Sequence, residues 1–184
     1  MKRKPLLTPR SFRGKSPLQI VVLLVLAGLA YFVTDRQPAD DLPRGSYEGF
    51  CTGVIDGDTL DIRTRDGTPY RIRLLGMDCM EIHNEEKMAK QARAYGQPVE
   101  AVRRLGHKAR ERVSSLAAGR PVTWTIPEGT RLRDPYERVL AYVEVHGMDL
   151  GELLLKEGLA EMRRDRHPKA AEYRSIAAPL AFDP

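Results

Sequence analysis

Two aspartates flank one glycine at Asp56 to Asp58, inside "VIDGDTLDIRTRDG", at the point where a hydrophobic stretch restarts as alternating apolar and polar residues. Taken alone, "DGD" reads as a turn, since glycine and aspartate both favour turns. It is not an EF-hand loop. Leu60, Asp61 and Gly67 stand at the fifth, sixth and twelfth positions, where such a loop needs an oxygen ligand, a glycine and a glutamate. Residues further along the chain give "DGD" more weight. "RIRLLGMDCMEI" carries Arg73, Asp78 and Glu81 at the end of an apolar strand, and "RDPYERVLAY" carries Arg138 at the start of another. Two acids able to bind a hard cation, a third acid nearby and two arginines are the residue types that phosphodiester hydrolysis needs. The cation offsets charge on the scissile phosphate, the arginines hold its oxygens, and a carboxylate orients or deprotonates water.

Those side chains need a scaffold, and the apolar spacing supplies one. From Tyr47 the period is two: "YEGFCTGVI" reads as a strand, "TLDIRTR" sets Leu60 and Ile62 against Asp61 and Arg63, and "YRIRLL" sets Ile72 and Leu74 against Arg71 and Arg73. Asp66-Gly67 supplies a hairpin turn between the last two. Further on, "PVTWTI" alternates Val122, Trp124 and Ile126 with threonines, and "RVLAYVEV" is apolar on both faces, as a central strand requires. Between the third and fourth strands Val102, Leu105, Ala109, Val113 and Leu116 keep helical spacing, with Gly119 as the stop. Asn84 caps an earlier helix that Gly96 and Pro98 end. Asp149 opens "DLGELLLKEG", with Glu152 placed for a capping box and Gly158 for the stop, and a last short helix runs from Pro168 to before Pro179. This order predicts an α+β domain built on a five-stranded OB-type β-barrel with flanking α-helices.

The front of the chain is different. "MKRKPLLTPRSFRGKSP" holds six basic residues and no acid, and the run Leu18 to Val33 contains only Gln19 as a strongly polar residue. This reads as a cytoplasmic basic tail, 1–17, a transmembrane signal anchor, 18–33, and a linker, 34–46, ahead of the domain 47–184. A signal peptide cleaved near Ala27 to Ala30 is the competing reading; the apolar run continuing through Tyr31-Phe32-Val33 favours the anchor. Either way the domain is exported, to the periplasmic or extracellular side of the cytoplasmic membrane. Lys and Arg number 30 against 25 Asp and Glu; without the six basic residues of the tail the balance is 24 against 25. The excess is therefore topogenic, and net charge says nothing about the domain's partners. Cys51 and Cys79 can pair in an oxidising compartment but cannot form a structural zinc site unaided. His83, His107, His146 and His167 are scattered and read as surface or packing residues.

In "VIDGDTL", "RIRLLGMDCMEI", "DPYERVLAYVEVHG" and "LGELLLKEGLAE", taken in that order over roughly Gly53 to Met162, the sequence resembles the staphylococcal nuclease, or thermonuclease, family. The resemblance implies a calcium-dependent nuclease acting on DNA and RNA. It implies calcium ligation by Asp58, Asp78 and the backbone carbonyl of Cys79, with Asp56 behind them. Glu81 would be the base that activates water, Arg73 and Arg138 the phosphate-binding arginines, and Tyr136 a substrate contact. The expected partner is a nucleic acid, with the membrane held through the N-terminal helix, and the expected state is a monomer.

The sequence also departs from the family pattern. Cys79 and Met80 stand where the family usually has threonine and proline, Glu137 replaces the usual glycine before Arg138, and Arg164 and Arg166 replace substrate-stacking tyrosines. An insert, Asn84 to Arg104, lengthens the segment after Glu81 and is expected to act as a lid or docking surface. The rival is a non-catalytic OB-fold module binding nucleic acid or a protein partner. Loss of any of Asp58, Asp78, Glu81, Arg73 or Arg138 would favour that rival, and none is lost.

Overall fold

The computed structural model describes residues 42–182. The expected basic tail, 1–17, and the expected anchor, 18–33, lie outside the described residues, and among the described residues no helix is long and apolar enough to cross a membrane. In chain order the elements are β1 (Gly45–Val54), β2 (Thr59–Thr64), β3 (Pro69–Leu74), β4 (Met77–Cys79), α1 (Glu85–Tyr95) and α2 (Val99–Ala117). They continue with β5 (Pro121–Ile126), β6 (Val139–Val145), β7 (Met148–Asp149), α3 (Leu150–Lys156), β8 (Ala160–Met162) and α4 (Ala170–Ile176).

The five expected strands form one sheet in the order β3-β2-β1-β5-β6, and a parallel pairing of β3 with β6 closes it into a barrel. Alternation decides what the barrel holds: Leu60, Ile62, Ile72, Leu74, Val122, Trp124 and Ile126 are all buried. Tyr47 stacks on the Trp124 ring with centroids 4.6 Å apart. β6 is paired on both edges, with β5 and with β3, and is apolar on both faces because one face lines the barrel and α3 packs against the strand. A register shift between Cys51 and Gly53 puts a bulge in β1, which bends and twists the strand as closure demands.

Helix ends match the expected caps, with small differences. Asn84 Oδ1 accepts the Lys87 amide at 3.0 Å, and Gly96 terminates α1. In α2 the stripe Val102, Leu105, Ala109, Val113 is buried, but Ala117 rather than Leu116 completes it. The cap of α3 is one-sided: Asp149 Oδ1 accepts the amides of Gly151 and Glu152 at 2.7 and 3.1 Å, while the Glu152 carboxylate turns to Lys156 and Lys169. The last helix starts at Ala170, with Lys169 as its cap, and not at Pro168.

A second, two-stranded sheet of β4 and β8 was not expected; each strand is only three residues long, too short for a periodic signal. It sets Asp78 opposite Glu161. Against this ribbon and the "DGD" bend lies α2, at two points of close approach. A Cβ on Gly106 would sit 2.5 Å from the Met80 carbonyl oxygen, and a Cβ on Gly57 would sit 2.6 Å from both Ala109 Cβ and Cys79 Sγ. The glycine of "DGD" therefore serves proximity; it is not among the glycines of positive φ. Cys51 and Cys79 do not pair in this structure: both are buried free thiols, Cys51 hydrogen-bonding to the Gly53 carbonyl and Cys79 packed against Gly57. Burial pushes both thiols up, Cys79 well above its ordinary value.

Candidate active site

All eight candidate residues, Asp56, Asp58, Arg73, Asp78, Cys79, Glu81, Tyr136 and Arg138, line one cavity of about 270 Å³. They arrive from the β1–β2 bend, β3, β4, the loop before α1, and the β5–β6 loop, so the barrel and its small ribbon both contribute. At the floor is Arg73. Its position in β3 should face away from Ile72 and Leu74, yet it is only 9% exposed, because the ribbon and the "DGD" bend cover it. Nη1 donates to Asp58 Oδ1 at 2.8 Å and Nη2 to Asp78 Oδ1, so one guanidinium bridges the two expected cation ligands.

The rest of Asp58 is engaged as well. Its Oδ2 accepts the Cys79 amide at 3.0 Å, and its Oδ1 also accepts Thr59 Oγ1 at 3.0 Å. Thr59 Oγ1 in turn accepts Arg138 Nη1 at 3.0 Å. A continuous chain thus runs Arg138, Thr59, Asp58, Arg73, Asp78. Burial pushes the Asp58 carboxyl up, with Asp56 adding to it, against the pull of Arg73. Asp78 is raised for the same reason, burial and the charge on Asp58 outweighing Arg73 and Arg163. Burial would lower Arg73, but Asp58, Asp78 and Asp56 outweigh it and hold the guanidinium above its usual value.

Glu81 is fixed by backbone. Its Oε1 accepts the amides of Ile82, His83 and Asn84 at 3.1, 2.9 and 3.3 Å. Burial would raise this carboxyl; the amides of His83 and Asn84, Lys87 and the amide of Ile82 hold it below its ordinary value. Gln91 Oε1, from α1, accepts the Glu81 amide at 2.9 Å. Helix α1 therefore braces the loop that carries Glu81. Across the cavity, Asp134 orders the turn that presents Arg138: it accepts the amides of Tyr136 and Arg138 at 2.9 and 3.0 Å and the guanidinium Nε at 2.7 Å. Glu137 within that turn has φ of 61°, the left-handed region that glycine adopts without cost.

Four contributors escape a reading of the sequence. Thr59 comes directly after Asp58 but reads as an ordinary strand threonine. Lys87 and Gln91 both line the cavity from α1, where their spacing of four puts them on one helix face, the one signal that could have found them. Arg163 also lines it. An adjoining cavity of about 470 Å³ shares Arg73, Tyr136, Arg138 and Arg163 and adds Arg131 and Arg166. Of the two arginines expected in place of tyrosines, only Arg166 lines these cavities; Arg164 does not.

Among the described residues no three His, Cys, Asp or Glu side chains form a group that could hold a metal ion unaided. The donor set nonetheless fits a hard cation held in part by other ligands. Three carboxylates, Asp56, Asp58 and Asp78, act on the one guanidinium of Arg73, and burial raises Asp58 and Asp78 against its pull, so the pocket holds more acid than that one cation balances. Oxygen donors suit calcium or magnesium, and few protein ligands leave the remaining positions to water and substrate.

Residues 71–178 match the family described as "Staphylococcal nuclease homologue". The chain is 33% identical over 109 residues to the SPbeta prophage-derived endonuclease YokF of Bacillus subtilis (strain 168), covering 59% of this chain and 32% of that protein. Over the same length it is 33% identical to Endonuclease YncB of the same organism, covering 59% and 44%. An uncharacterized protein of Methanocaldococcus jannaschii, MJ1439, is 29% identical over 123 residues, covering 63% and 59%. The aligned part thus spans between about a third and three fifths of the length of these relatives.

Proposed function

Because the chain belongs to the staphylococcal nuclease family, which more than half of its length matches, we propose that it is a calcium-dependent nuclease that hydrolyses phosphodiester bonds of DNA or RNA. The observation that carries this reading is the chain of hydrogen bonds from Arg138 through Thr59 and Asp58 to Arg73, which aims two guanidinium groups into a cavity lined by three further carboxylates, Asp56, Asp78 and Glu81. Endonuclease names among the relatives support it.

In this proposal Asp58, Asp78 and the Cys79 carbonyl hold the cation, whose chemistry when bound is to offset charge on the scissile phosphate. Arg73 and Arg138 grip the phosphate oxygens, each with a planar pair of donors. Glu81 orients a water and takes its proton as the water oxygen bonds phosphorus and the ester oxygen departs. Held below its ordinary value, the Glu81 carboxyl is ionised at neutral pH and able to accept. Tyr136, exposed at the cavity mouth, offers its ring to a base.

We further propose that the protein acts as a monomer on the outer side of the cytoplasmic membrane, with the basic tail inside; the apolar run Leu18 to Val33 supports this.

The decisive assay is cleavage of single-stranded DNA and RNA by the purified full chain, with calcium and then with excess chelator. Cleavage that calcium restores is expected. Undiminished cutting in chelator would overturn metal dependence, and no cutting with any divalent cation would overturn the nuclease itself.

A further inference from the structure

Lys87 occupies a place that helix stability does not explain. It is the third residue of α1, where the helix dipole is positive and a cation is on the wrong end. Its ammonium lies 3.5 Å from Glu81 Oε2, and with the lysine side chain 53% exposed such a pair contributes little to stability. Nor does Glu81 need it for anchorage, since three amides already hold Oε1. The same ammonium sits 5.4 Å from the centre of the Tyr136 ring, and Arg138 Cζ sits 5.4 Å from that centre too. Lys87 also borders a smaller cavity of about 210 Å³ with Arg71, Tyr136 and Arg138.

The three cations around that smaller cavity are committed to different degrees. Arg71 is bound by both oxygens of Asp61, at 2.8 and 3.0 Å. Arg138 is held by Asp134 and Thr59. Lys87 has the longest and weakest ion pair of the three. An ammonium is a point charge with three rotatable donors, so it can exchange a carboxylate for a phosphate without the planar matching that a guanidinium requires.

We propose that Lys87 is a substrate contact supplied by the inserted helix: it rests on Glu81 Oε2 in the free protein and moves to a substrate phosphate next to the scissile one, leaving Oε2 open to water. This rests on the nuclease reading above and assigns the insert a part in it: the helix braces Glu81 through Gln91 and binds the strand through Lys87. Substrate binding and exposure of the base become one event.

The test uses the full chain and three variants, Lys87→Met, Lys87→Arg and, as a control on the same helix, the exposed Lys90→Met. Cleavage of a single-stranded oligonucleotide in calcium gives KM and kcat, and fluorescence anisotropy in chelator gives the affinity for uncut strand across a salt series. Loss of one charged contact should raise KM about tenfold in Lys87→Met and flatten the slope of log affinity against log salt by about 0.7. Lys87→Arg should restore most of both, and Lys90→Met should change neither. A Lys87→Met protein matching Lys90→Met in KM and slope overturns the inference while leaving the nuclease reading intact. If the wild type binds but never cuts, the nuclease reading falls, and the salt slope alone decides whether Lys87 touches phosphate.

Discussion

Arg138 and Thr59, separated by 79 residues of chain, meet at 3.0 Å, and the threonine hydroxyl passes the contact on to Asp58. The hydroxyl accepts from one and donates to the other, so it uses both of its capacities on charged groups. Arg73 of β3 and Arg138 of the turn before β6 are thereby referred to one carboxylate, and their separation is set by that shared anchor and not by two independent rotamers.

If Arg138 grips phosphate as charge builds in the transition state, lysine cannot replace it. Arginines that stabilise phosphoryl-transfer transition states contribute ~10³ to 10⁵ in rate, so Arg138→Lys should slow single-turnover cleavage by at least about a hundredfold. Filter binding of uncut strand should change far less, and circular dichroism should show the fold intact. A rate loss below about tenfold in a folded variant would remove Arg138 from the reacting centre and favour a binding module.

Glu137 sits one residue before that arginine with φ of 61°. A side chain in the left-handed region costs ~1–2 kcal/mol, and glycine gives back ~0.5–1 in chain entropy. Glu137→Gly should therefore stabilise by roughly 0.5–1 kcal/mol, read from urea midpoints, and removal of the charge beside Arg138 should tighten strand binding. A destabilised variant would mean that the glutamate side chain makes a contact outweighing its backbone strain.

Gly57 tests the packing of α2 on the acidic bend. With Ala109 Cβ and Cys79 Sγ each 2.6 Å from where a new Cβ would stand, Gly57→Ala must displace the bend that carries Asp56 and Asp58. Overpacking of this kind costs ~1–3 kcal/mol, and cleavage should fall further than stability, since catalytic geometry is disturbed by shifts of about an ångström. Pairing it with Ala109→Gly, which removes one of the two clashing atoms, should recover part of both losses. No recovery would place the damage elsewhere.

Acid should act through His167. This residue is buried, its Nδ1 lies 2.8 Å from the Tyr142 hydroxyl, and its Nε2, without a partner among the described residues, packs on Gly76, in the turn between β3 and β4. Burial holds the imidazole below its ordinary value, although Asp165 and Asp149 pull the other way. The unfolded chain then binds the proton more readily, so the stabilisation is complete above about pH 6.5 and is lost as pH falls through the depressed folded value. Thermal midpoints should drop more steeply from pH 7 to 5 in the wild type than in His167→Gln. Parallel slopes would clear His167 of the effect.

The barrel was legible because its signals are local and repeated: period-two strands, a capped helix at Asn84 and an apolar stripe from Val102 to Val113 each appear in a short window. Asp56, Asp58, Arg73, Asp78, Glu81 and Arg138 stood out by type and place, Cys79 and Tyr136 only through the family resemblance, and all eight line one cavity. What stayed hidden depends on tertiary contact. Arg73 reads like its neighbour Arg71, and only the ribbon of β4 and β8 makes one a buried bridge and the other an exposed pair with Asp61. Lys87 and Gln91 look like any polar face of a helix until α1 is docked beside Glu81. Nothing local marks Gly57 as a point of contact and not a turn, because Ala109 comes from a helix far along the chain.

The parallel seam between β3 and β6, where Arg73 stands opposite Leu140, sets the time at which the site comes into being. Pairing strands so far apart in sequence is slow, because loop-closure entropy is lost before any contact repays it. A chain still emerging from synthesis carries Asp56 and Asp58 on an open hairpin while Arg138 has neither Thr59 nor Asp58 to meet. On the nuclease reading it is harmless to the nucleic acid around it until the seam zips. The first-turnover rate recovered on refolding is then a clock for that one event, distinct from any spectroscopic signal of the strands themselves.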